Sequence, residues 1–377
     1  MLQRIRRILS LSFKELIHLR NDWWLPAFML LGGAMELILV GWATSRPITN
    51  LPLMVLDHDR SSQSRRFVRE LENTGTFVVE EYVSEALTIE RALDRGDVSA
   101  AVIIPPDFSK QLGSLSGQPT ITVILNGAES LPARSAQRAI EGVVRVWGDR
   151  LAFERIGLDP QTLEGFFPSL RVWFNEALNE ALYTTPAELG LMLEFTVLLF
   201  AALSISRERE LGTLEQLLVM PFSSLEIILG KALPVLVIGL SDFALMLTMV
   251  NVFFGVPVRG SLALLFALAF GYVLVELSKG LVISVIARTQ HQAFLLVMLV
   301  GMTDFMFTGY AAPVESMPRI LQMLANFIPA YHWLTIVRGI LLKASGMQVL
   351  WPNVLALLLL GVLIGGFSIR YVRRALQ

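Results

Sequence analysis

Six charged side chains lie inside apolar stretches of this sequence, and their types could do chemistry. The stretches around them are long enough to cross a bilayer, which takes about 20 residues. An ionised side chain at that depth costs roughly 2.5–3.5 kcal/mol. The set therefore predicts a path for a cationic substrate, a contact with basic residues of another subunit, or protonated structural positions. It comprises Glu36, Glu194, Asp242, Glu276, Lys279 and Asp304.

Within this set, Glu276 and Lys279 are three residues apart and can pair on one helix face. Elsewhere the chemistry is sparse. The Gly230-Lys231 pair lacks the earlier glycine of a phosphate-binding loop, and the four histidines are far apart in sequence. The segment 56–62 (LDHDRSS) follows a predicted strand, where α/β proteins often bind ligands, but a solvated turn is the favoured interpretation. We expect no catalytic, metal or cofactor site in this chain.

Composition places the chain in a membrane. Of 377 residues, 54% are hydrophobic and 17% are charged, which is more apolar than a soluble domain. The net charge of −1 gives no signal for nucleic acid. The absence of cysteine excludes disulfides and thiolate metal sites. Residues 50–185, in contrast, have the composition of a soluble domain.

The predicted fold is an α-helical polytopic membrane protein with an inserted α/β periplasmic domain. We predict an amphipathic interfacial helix over 1–22, a first transmembrane helix over 23–45, the α/β domain over 46–186, and transmembrane helices two to six within 187–377. In the α/β domain, strands at 51–57, 76–82, 98–105 and 120–127 alternate with helices. Helices two to six are expected near 187–205, 228–254, 262–287, 293–312 and 354–369.

Six spans place both termini on one side, and the positive-inside rule makes that side cytoplasmic. Arg207, Arg209, Lys231 and Arg288 agree with this topology, whereas Arg259, Arg319, Arg338 and Lys343 do not. Prolines interrupt the region 313–350, so we predict two short re-entrant or interfacial helices there on the outer face. A loose external loop is the alternative. The residues that mark this re-entrant region are Pro313, Glu315, Pro318, Pro329 and Arg338.

A short polar segment, 207–227, follows the second span. Gly212 allows a sharp turn, Thr213 and Gln216 have the spacing of a capping box, and Pro221 ends the helix. Leu214, Leu217 and Leu218 would give this helix an apolar stripe, with Glu208, Glu210 and Glu215 at its rim. The pattern predicts either a helix that docks in the groove of a partner or a plain interfacial loop helix.

Three stretches of this sequence resemble the type-2 ABC transporter permease family. Residues 204–231 (SISRERELGTLEQLLVMPFSSLEIILGK) are similar to its coupling segment, 283–296 (ISVIARTQHQAFLL) to its junction of spans four and five, and 308–346 to its re-entrant region. The large domain after the first span resembles that of bacterial exporters that work with periplasmic adaptors. The resemblance implies that the coupling segment, 207–227, receives an ATPase through Glu208, Glu210, Gly212, Thr213, Glu215, Leu217 and Pro221.

By this resemblance, the chain is expected to be the permease subunit of an exporter in a bacterial inner membrane. It would not be an enzyme, because ATP and Mg²⁺ would bind to two copies of a partner ATPase. A second permease copy or a related permease is implied, and a periplasmic adaptor and an outer-membrane channel are further expected partners. The alternatives are an ion-coupled transporter that uses the intramembrane acids, and a membrane-anchored periplasmic receptor. The sequence does not predict the substrate.

Overall fold

A computed structural model describes residues 2–45, 48–114, 117–128, 130–156, 174, 181–310 and 313–375. The chain divides into two compact units. One comprises Met1–Arg46 and Val172–Gln377, and the other comprises Pro47–Arg171. The first unit opens with two helices, α1 (Leu2–Asn21) and α2 (Trp24–Ser45).

The second unit is a four-stranded sheet flanked by helices. Its strand order is β2-β1-β3-β4, with β4 antiparallel to β3 and the other pairs parallel. The elements are β1 (Leu51–Asp57), α3 (Ser62–Asn73), β2 (Phe77–Tyr82), α4 (Ala86–Arg95), β3 (Ala100–Ile104), α5 (Phe108–Gly113), β4 (Thr122–Leu125) and α6 (Ser130–Ile156).

The predicted alternation of strands and helices in this unit is confirmed, because each predicted strand overlaps an observed one. Glycines end the helices as expected: Gly96 takes a left-handed φ of +77° after α4, and Gly75 takes +72° just beyond α3. The one element that the sequence did not predict is the short α5. Residues 157–173 and 175–180, in the last part of the predicted domain, lie outside the described residues.

The remaining helices belong to the first unit. They are α7 (Ala181–Glu210), α8 (Leu214–Val219), α9 (Ser224–Phe254), α10 (Leu262–Ile286), α11 (Gln290–Phe307), α12 (Arg319–Ala325), α13 (Pro329–Lys343) and α14 (Met347–Ala375), with a 3₁₀ turn at Val314–Ser316. The two short helices predicted within 313–350 are therefore present as α12 and α13, although the structure carries no membrane against which to place them.

Among the described residues, five helices are long and apolar enough to cross a membrane: α2, α7, α9, α10 and α14. The pair α12 and α13, bent by 81°, would make a sixth. The predicted fifth span at 293–312 is represented by α11, whose 18 residues extend about 27 Å, slightly less than the hydrocarbon core of about 30 Å. The multi-pass helical fold is thus present, and the count of six spans stays a prediction.

Helix α7 is the centre of this unit and packs against α2, α9, α10, α11 and α13. It lies close against α10, where a Cβ added at Gly280 would lie 2.5 Å from Ala201 Cβ and 2.8 Å from Leu198 O. On the other side of α10, Gly361 of α14 packs against Val275. Small residues therefore bring α7, α10 and α14 into close contact, as is typical of helices packed in membranes.

Candidate functional site

The coupling segment turns sharply out of α7 and forms a short helix before α9. Gly212 has a φ of +71°, which glycine adopts without strain, and α8 follows directly. The next helix starts at a complete capping box, in which Ser223 accepts from the Glu226 N–H and Glu226 accepts from the Ser223 N–H. The predicted turn at Gly212 is confirmed.

The capping box predicted for Thr213 and Gln216 is wrong. Thr213 has helical dihedral angles (φ −91°, ψ −8°), and its side chain makes no capping hydrogen bond. Its hydroxyl donates instead to the Glu208 carboxylate. A hydrogen bond to an ionised acceptor is stronger than one between neutral groups, and this one ties α8 back to the end of α7.

The sequence predicted that Glu208 lies at the exposed rim of the segment. In the structure Glu208 is buried, with only 4% of the residue exposed. Its Oε1 lies 2.8 Å from Lys14 Nζ of α1 and 3.4 Å from Lys231 Nζ of α9. Lys231 also donates to Glu15 Oε1 at 2.7 Å and to the Ser204 carbonyl at 2.7 Å. The carboxylate thus joins α1, α7, α8 and α9 in one network of ion pairs.

Helix α1 holds the segment at further points. Arg7 Nη1 donates to the Pro221 carbonyl at 2.8 Å, and Ser12 Oγ donates to the Gly230 carbonyl at 2.9 Å. Leu11 packs directly on Gly230. The apolar face of this predicted amphipathic helix is left exposed on the opposite side of α1. Its residues are 42–65% exposed: Ile5, Leu9, Phe13, Leu16 and Ile17.

Two more side chains join the segment to α10 and α11. Arg209 Nη1 donates to the carbonyls of Val285 and Ala287, both at 2.8 Å, where α10 ends. Glu210 Oε2 accepts the N–H of Gln290, at the start of α11, at 2.7 Å. The segment is therefore fastened to five neighbouring helices: the side of α1, the end of α10, the start of α11, and α7 and α9, which it joins.

The exposed face of the segment is apolar with one acidic residue. Leu217 is the anchor of α8, being only 3% exposed, whereas Leu218 points away from the bundle, so the predicted stripe is divided between two sides. Val219 is 87% exposed. We call this surface the α8 face; its residues are Leu211, Glu215, Leu218, Val219 and Met220.

A second group of predicted residues meets inside the bundle, and we call it the Lys279 cluster. The predicted pair is present, with Glu276 Oε2 at 2.8 Å from Lys279 Nζ. The same Nζ lies 3.3 Å from Glu194 Oε1 of α7 and 2.6 Å from Asp304 Oδ2 of α11. Tyr272, which the sequence did not single out, donates to Glu194 at 3.2 Å.

The other two predicted intramembrane acids stand apart from this cluster. Asp242 of α9 is fully buried, and Glu36 is on the exposed side of α2. Because the charged side chains of the Lys279 cluster are largely enclosed within one chain, they do not line an open path in this conformation. Their role as path, interface or structural residues stays a prediction.

The re-entrant residues have structural positions that their types explain. Pro318 and Pro329 lie at the starts of α12 and α13, where a missing N–H costs no helical hydrogen bond. Arg338 stacks 3.8 Å from the centre of the Tyr183 ring and donates to the Gly309 carbonyl at 3.3 Å. Pro313 directly precedes the 3₁₀ turn, and Glu315 is the second residue of that turn.

The turn at 57–61 in the α/β unit is held by its own side chains. Asp57 accepts the N–H groups of Asp59 and Arg60 and the hydroxyl of Ser64. Burial raises the pKa of Asp59, but hydrogen bonds from Ser61 and Ser109 outweigh it and leave that pKa below its ordinary value of 3.8. In the described residues, no group of histidine, aspartate and glutamate side chains could hold a metal ion.

The sequence profile of the ABC-2 family of transporter proteins matches residues 23–370. The chain belongs to this ABC-2 family. Among its relatives are two proteins of Escherichia coli strain K12: the probable multidrug ABC transporter permease YbhR is 28% identical with 98% of each chain covered, and the inner membrane transport permease YhhJ is 28% identical with 96% and 95% covered. A third, YbhS, is 27% identical.

Membership of the ABC-2 family identifies this chain as a membrane-embedded permease of an ABC transporter, a kind of protein that is generally not an enzyme. The residues that brace its coupling segment were only partly visible in the sequence. Arg209 was noted for topology alone, and Lys231 for topology and as part of a rejected phosphate-binding pair. Their contacts, and those of Lys14, come from helices far apart in sequence. The one local signal was a lysine within the apolar sequence of α9, since such a residue is expected to have a partner.

Proposed function

We propose that this ABC-2 permease is the transmembrane subunit of an exporter that moves its substrate out across a bacterial inner membrane. A separate ATPase, which binds ATP and Mg²⁺, docks on residues 207–222. The observation that carries this proposal is the α8 face: an exposed apolar surface with Glu215 at its edge, on a segment that is fastened to five helices. When the bound ATPase displaces this face, those helices move with it as rigid bodies.

The distribution of basic residues supports a cytoplasmic position for this end of the bundle. Helix α14 runs alongside α10 in the same direction, since Gly361 packs on Val275 and Gly365 on Ser278. Its final arginines therefore lie at the same end as α8. Basic residues at cytoplasmic ends are the usual pattern, and those at this end are Arg4, Arg6, Arg7, Arg207, Arg209, Arg288, Arg370, Arg373 and Arg374.

The assembly that follows contains two permease subunits, because each chain carries one α8 and two ATPase copies are expected. The second permease is an identical or a related chain. The α/β unit, 47–171, would be periplasmic and would hand substrate to an adaptor and an outer-membrane channel. The relatives named as multidrug permeases make drug-like molecules the first substrates to assay.

The test is a mild-detergent pull-down of the full chain from its native membranes, with partners identified by mass spectrometry. The variant Glu215→Arg/Val219→Arg changes the α8 face without touching the buried Leu217. The matched control is Met323→Arg on α12, which is also an exposed apolar residue but lies at the opposite end of the bundle. An ATP-binding subunit that co-purifies with wild type and control, and not with the variant, supports the proposal.

An intact complex without any ATPase would contradict this proposal. So would an ATPase that remains bound to Glu215→Arg/Val219→Arg, since its docking would then lie elsewhere on the chain. The same pull-down distinguishes the two assemblies. Recovery of a related permease indicates a heterodimer, whereas recovery of an untagged copy of this chain with a tagged copy indicates a homodimer.

A further inference from the structure

Arg338 of α13 is a charged side chain whose hydrogen bonds are only partly made. Its Nη1 donates to the Gly309 carbonyl at 3.3 Å, and its guanidinium carbon lies 3.8 Å from the centre of the Tyr183 ring. Its Nε and Nη2 are enclosed by protein and have no hydrogen-bond partner among the described residues. Because a guanidinium is not deprotonated in proteins, Arg338 keeps its charge, and an enclosed charge is costly unless it is paired.

The elements around Arg338 do not supply the missing counter-charge. Helix α13 packs on α7, which carries a buried acid, Glu188. Neither Glu188 nor Glu315 of the 3₁₀ turn comes within 4 Å of Arg338, the limit of an ion pair. The Gly309 carbonyl is neutral, and it already accepts the Tyr183 hydroxyl at 2.9 Å. The partner that Arg338 requires is therefore not one of the described side chains in this conformation.

The two unpartnered nitrogens lie along one edge of the guanidinium plane. Nε and Nη2 each direct an N–H outwards from this edge, and the two N–H groups match the two oxygens of one carboxylate or phosphate group. The Gly309 carbonyl engages Nη1, and the Tyr183 ring covers the face of the plane. The existing contacts thus fix the orientation of the guanidinium and leave unpaired the edge that recognises an oxyanion.

We propose that Arg338 is a binding site for an oxyanion, a carboxylate or a phosphate group, which its Nε and Nη2 hold through two hydrogen bonds. The site lies at the end of the bundle opposite the coupling segment, because Tyr183 precedes Arg207 by about 36 Å along α7. Since both nitrogens are enclosed, the anion enters when α7 and α13 separate at this end. The proposal depends neither on the ATPase nor on the direction of transport.

The experiment is thermal unfolding of the full chain in an uncharged detergent, with inorganic phosphate, octanoate or phosphatidylglycerol added. Chloride at equal ionic strength is the reference for the two soluble anions, and phosphatidylcholine is the reference for the lipid. Wild type should show a saturable rise in apparent melting temperature with at least one anion, and Arg338→Gln should lose it. Arg319→Gln is the matched control that should keep it, because Arg319 is an exposed arginine at the start of α12.

The three anions also separate the two sources of the oxyanion. A rise with phosphatidylglycerol alone identifies a lipid headgroup, whereas a rise with phosphate or octanoate identifies a site for soluble anions. No rise in wild type with any of the three would overturn the proposal. An equal rise in wild type and Arg338→Gln would overturn it as well.

Two further substitutions distinguish a bidentate site from a positive charge alone and from a structural contact. Arg338→Lys keeps the charge but lacks the fork of N–H groups, so it should lose most of the anion response. Arg338→Met removes the unpaired charge, and Gly309 keeps its bond from Tyr183, so the anion-free chain should melt no lower than wild type. A full response in Arg338→Lys, or a markedly lower anion-free melting temperature in Arg338→Met, would contradict the assignment.

Discussion

Glu208 shows how one carboxylate can connect a docking helix to a bundle. It accepts from Lys14, Lys231 and Thr213, residues of α1, α9 and the start of α8. Burying a charged group is costly unless it is paired and hydrogen-bonded, and here the pairing is supplied by two lysines from different helices. The residue is therefore a brace for α8, and its burial leaves little of the carboxylate exposed.

Replacing Glu208 should loosen this brace. Glu208→Ala removes the acceptor shared by Lys14, Lys231 and Thr213, and we expect a loss of about 2 kcal/mol of stability, the size of a hydrogen bond to a charged group. Glu208→Gln should lose less because it keeps an oxygen acceptor. The measurement is the apparent melting temperature in detergent, with the exposed Glu215→Gln as control. Equal melting temperatures for Glu208→Ala and wild type would show that the network does not contribute to stability.

The hydrogen bond from Ser109 to Asp59 predicts a pH dependence in the α/β unit. The folded-state pKa of Asp59 is lowered, so the ionised group contributes stability above its unfolded pKa. That contribution is lost as the pH falls through the folded pKa. Ser109→Ala should therefore increase hydrogen exchange of β1 and α5 relative to wild type at pH 7, and the difference should fade below the folded pKa of Asp59. A difference that grows on acidification would contradict this.

At the scale of elements, the regular parts of the fold were predictable and the long-range contacts were not. The strands of the α/β unit, the turn at Gly212 and the capped start of α9 follow from local residue types. The cap at Thr213 was misassigned because the backbone of this residue is helical, and its hydroxyl donates to Glu208 across the turn. The division of the leucine stripe of α8, with Leu217 inside and Leu218 outside, depends on packing against α7, which the sequence pattern of six residues does not specify.

The close contact of α7 and α10 should tolerate no side chain at Gly280. A methyl group there would meet Ala201 Cβ and the backbone oxygen of Leu198, and overpacking of this kind costs about 1–3 kcal/mol. Gly280→Ala should lower the apparent melting temperature. Gly271→Ala is the matched control on the same helix, since nothing lies within 4 Å of its added methyl group. Identical effects of the two substitutions would contradict the packing described here.

For the whole molecule, the central question is which end of the bundle faces the cytoplasm. The family was recognisable from stretches of sequence, and the structure adds that the coupling segment and the arginines of α14 lie at one end. The number of spans was less predictable because α11 is short and because α12 and α13 form a pair with a sharp bend between them. Length and apolar content alone do not decide whether such helices cross a membrane.

The proposed orientation predicts a specific labelling pattern, and the absence of cysteine makes single-cysteine variants directly interpretable. In intact cells, a membrane-impermeant maleimide should label Glu90→Cys in the α/β unit and should leave Glu215→Cys on α8 unlabelled. In inverted membranes the pattern should reverse. Labelling of Glu215→Cys in intact cells would place α8 outside and would contradict the orientation.

The docking of an ATPase on the α8 face is the central claim, and photo-crosslinking tests it most directly. A photoreactive amino acid replaces Val219, the most exposed apolar residue of that face, and membranes are irradiated before solubilisation. We predict a crosslinked product that contains an ATP-binding subunit, and none of it when the photoreactive residue replaces Met323 at the opposite end. Crosslinks from position 219 to lipid alone, in membranes where the complex is intact, would contradict the claim.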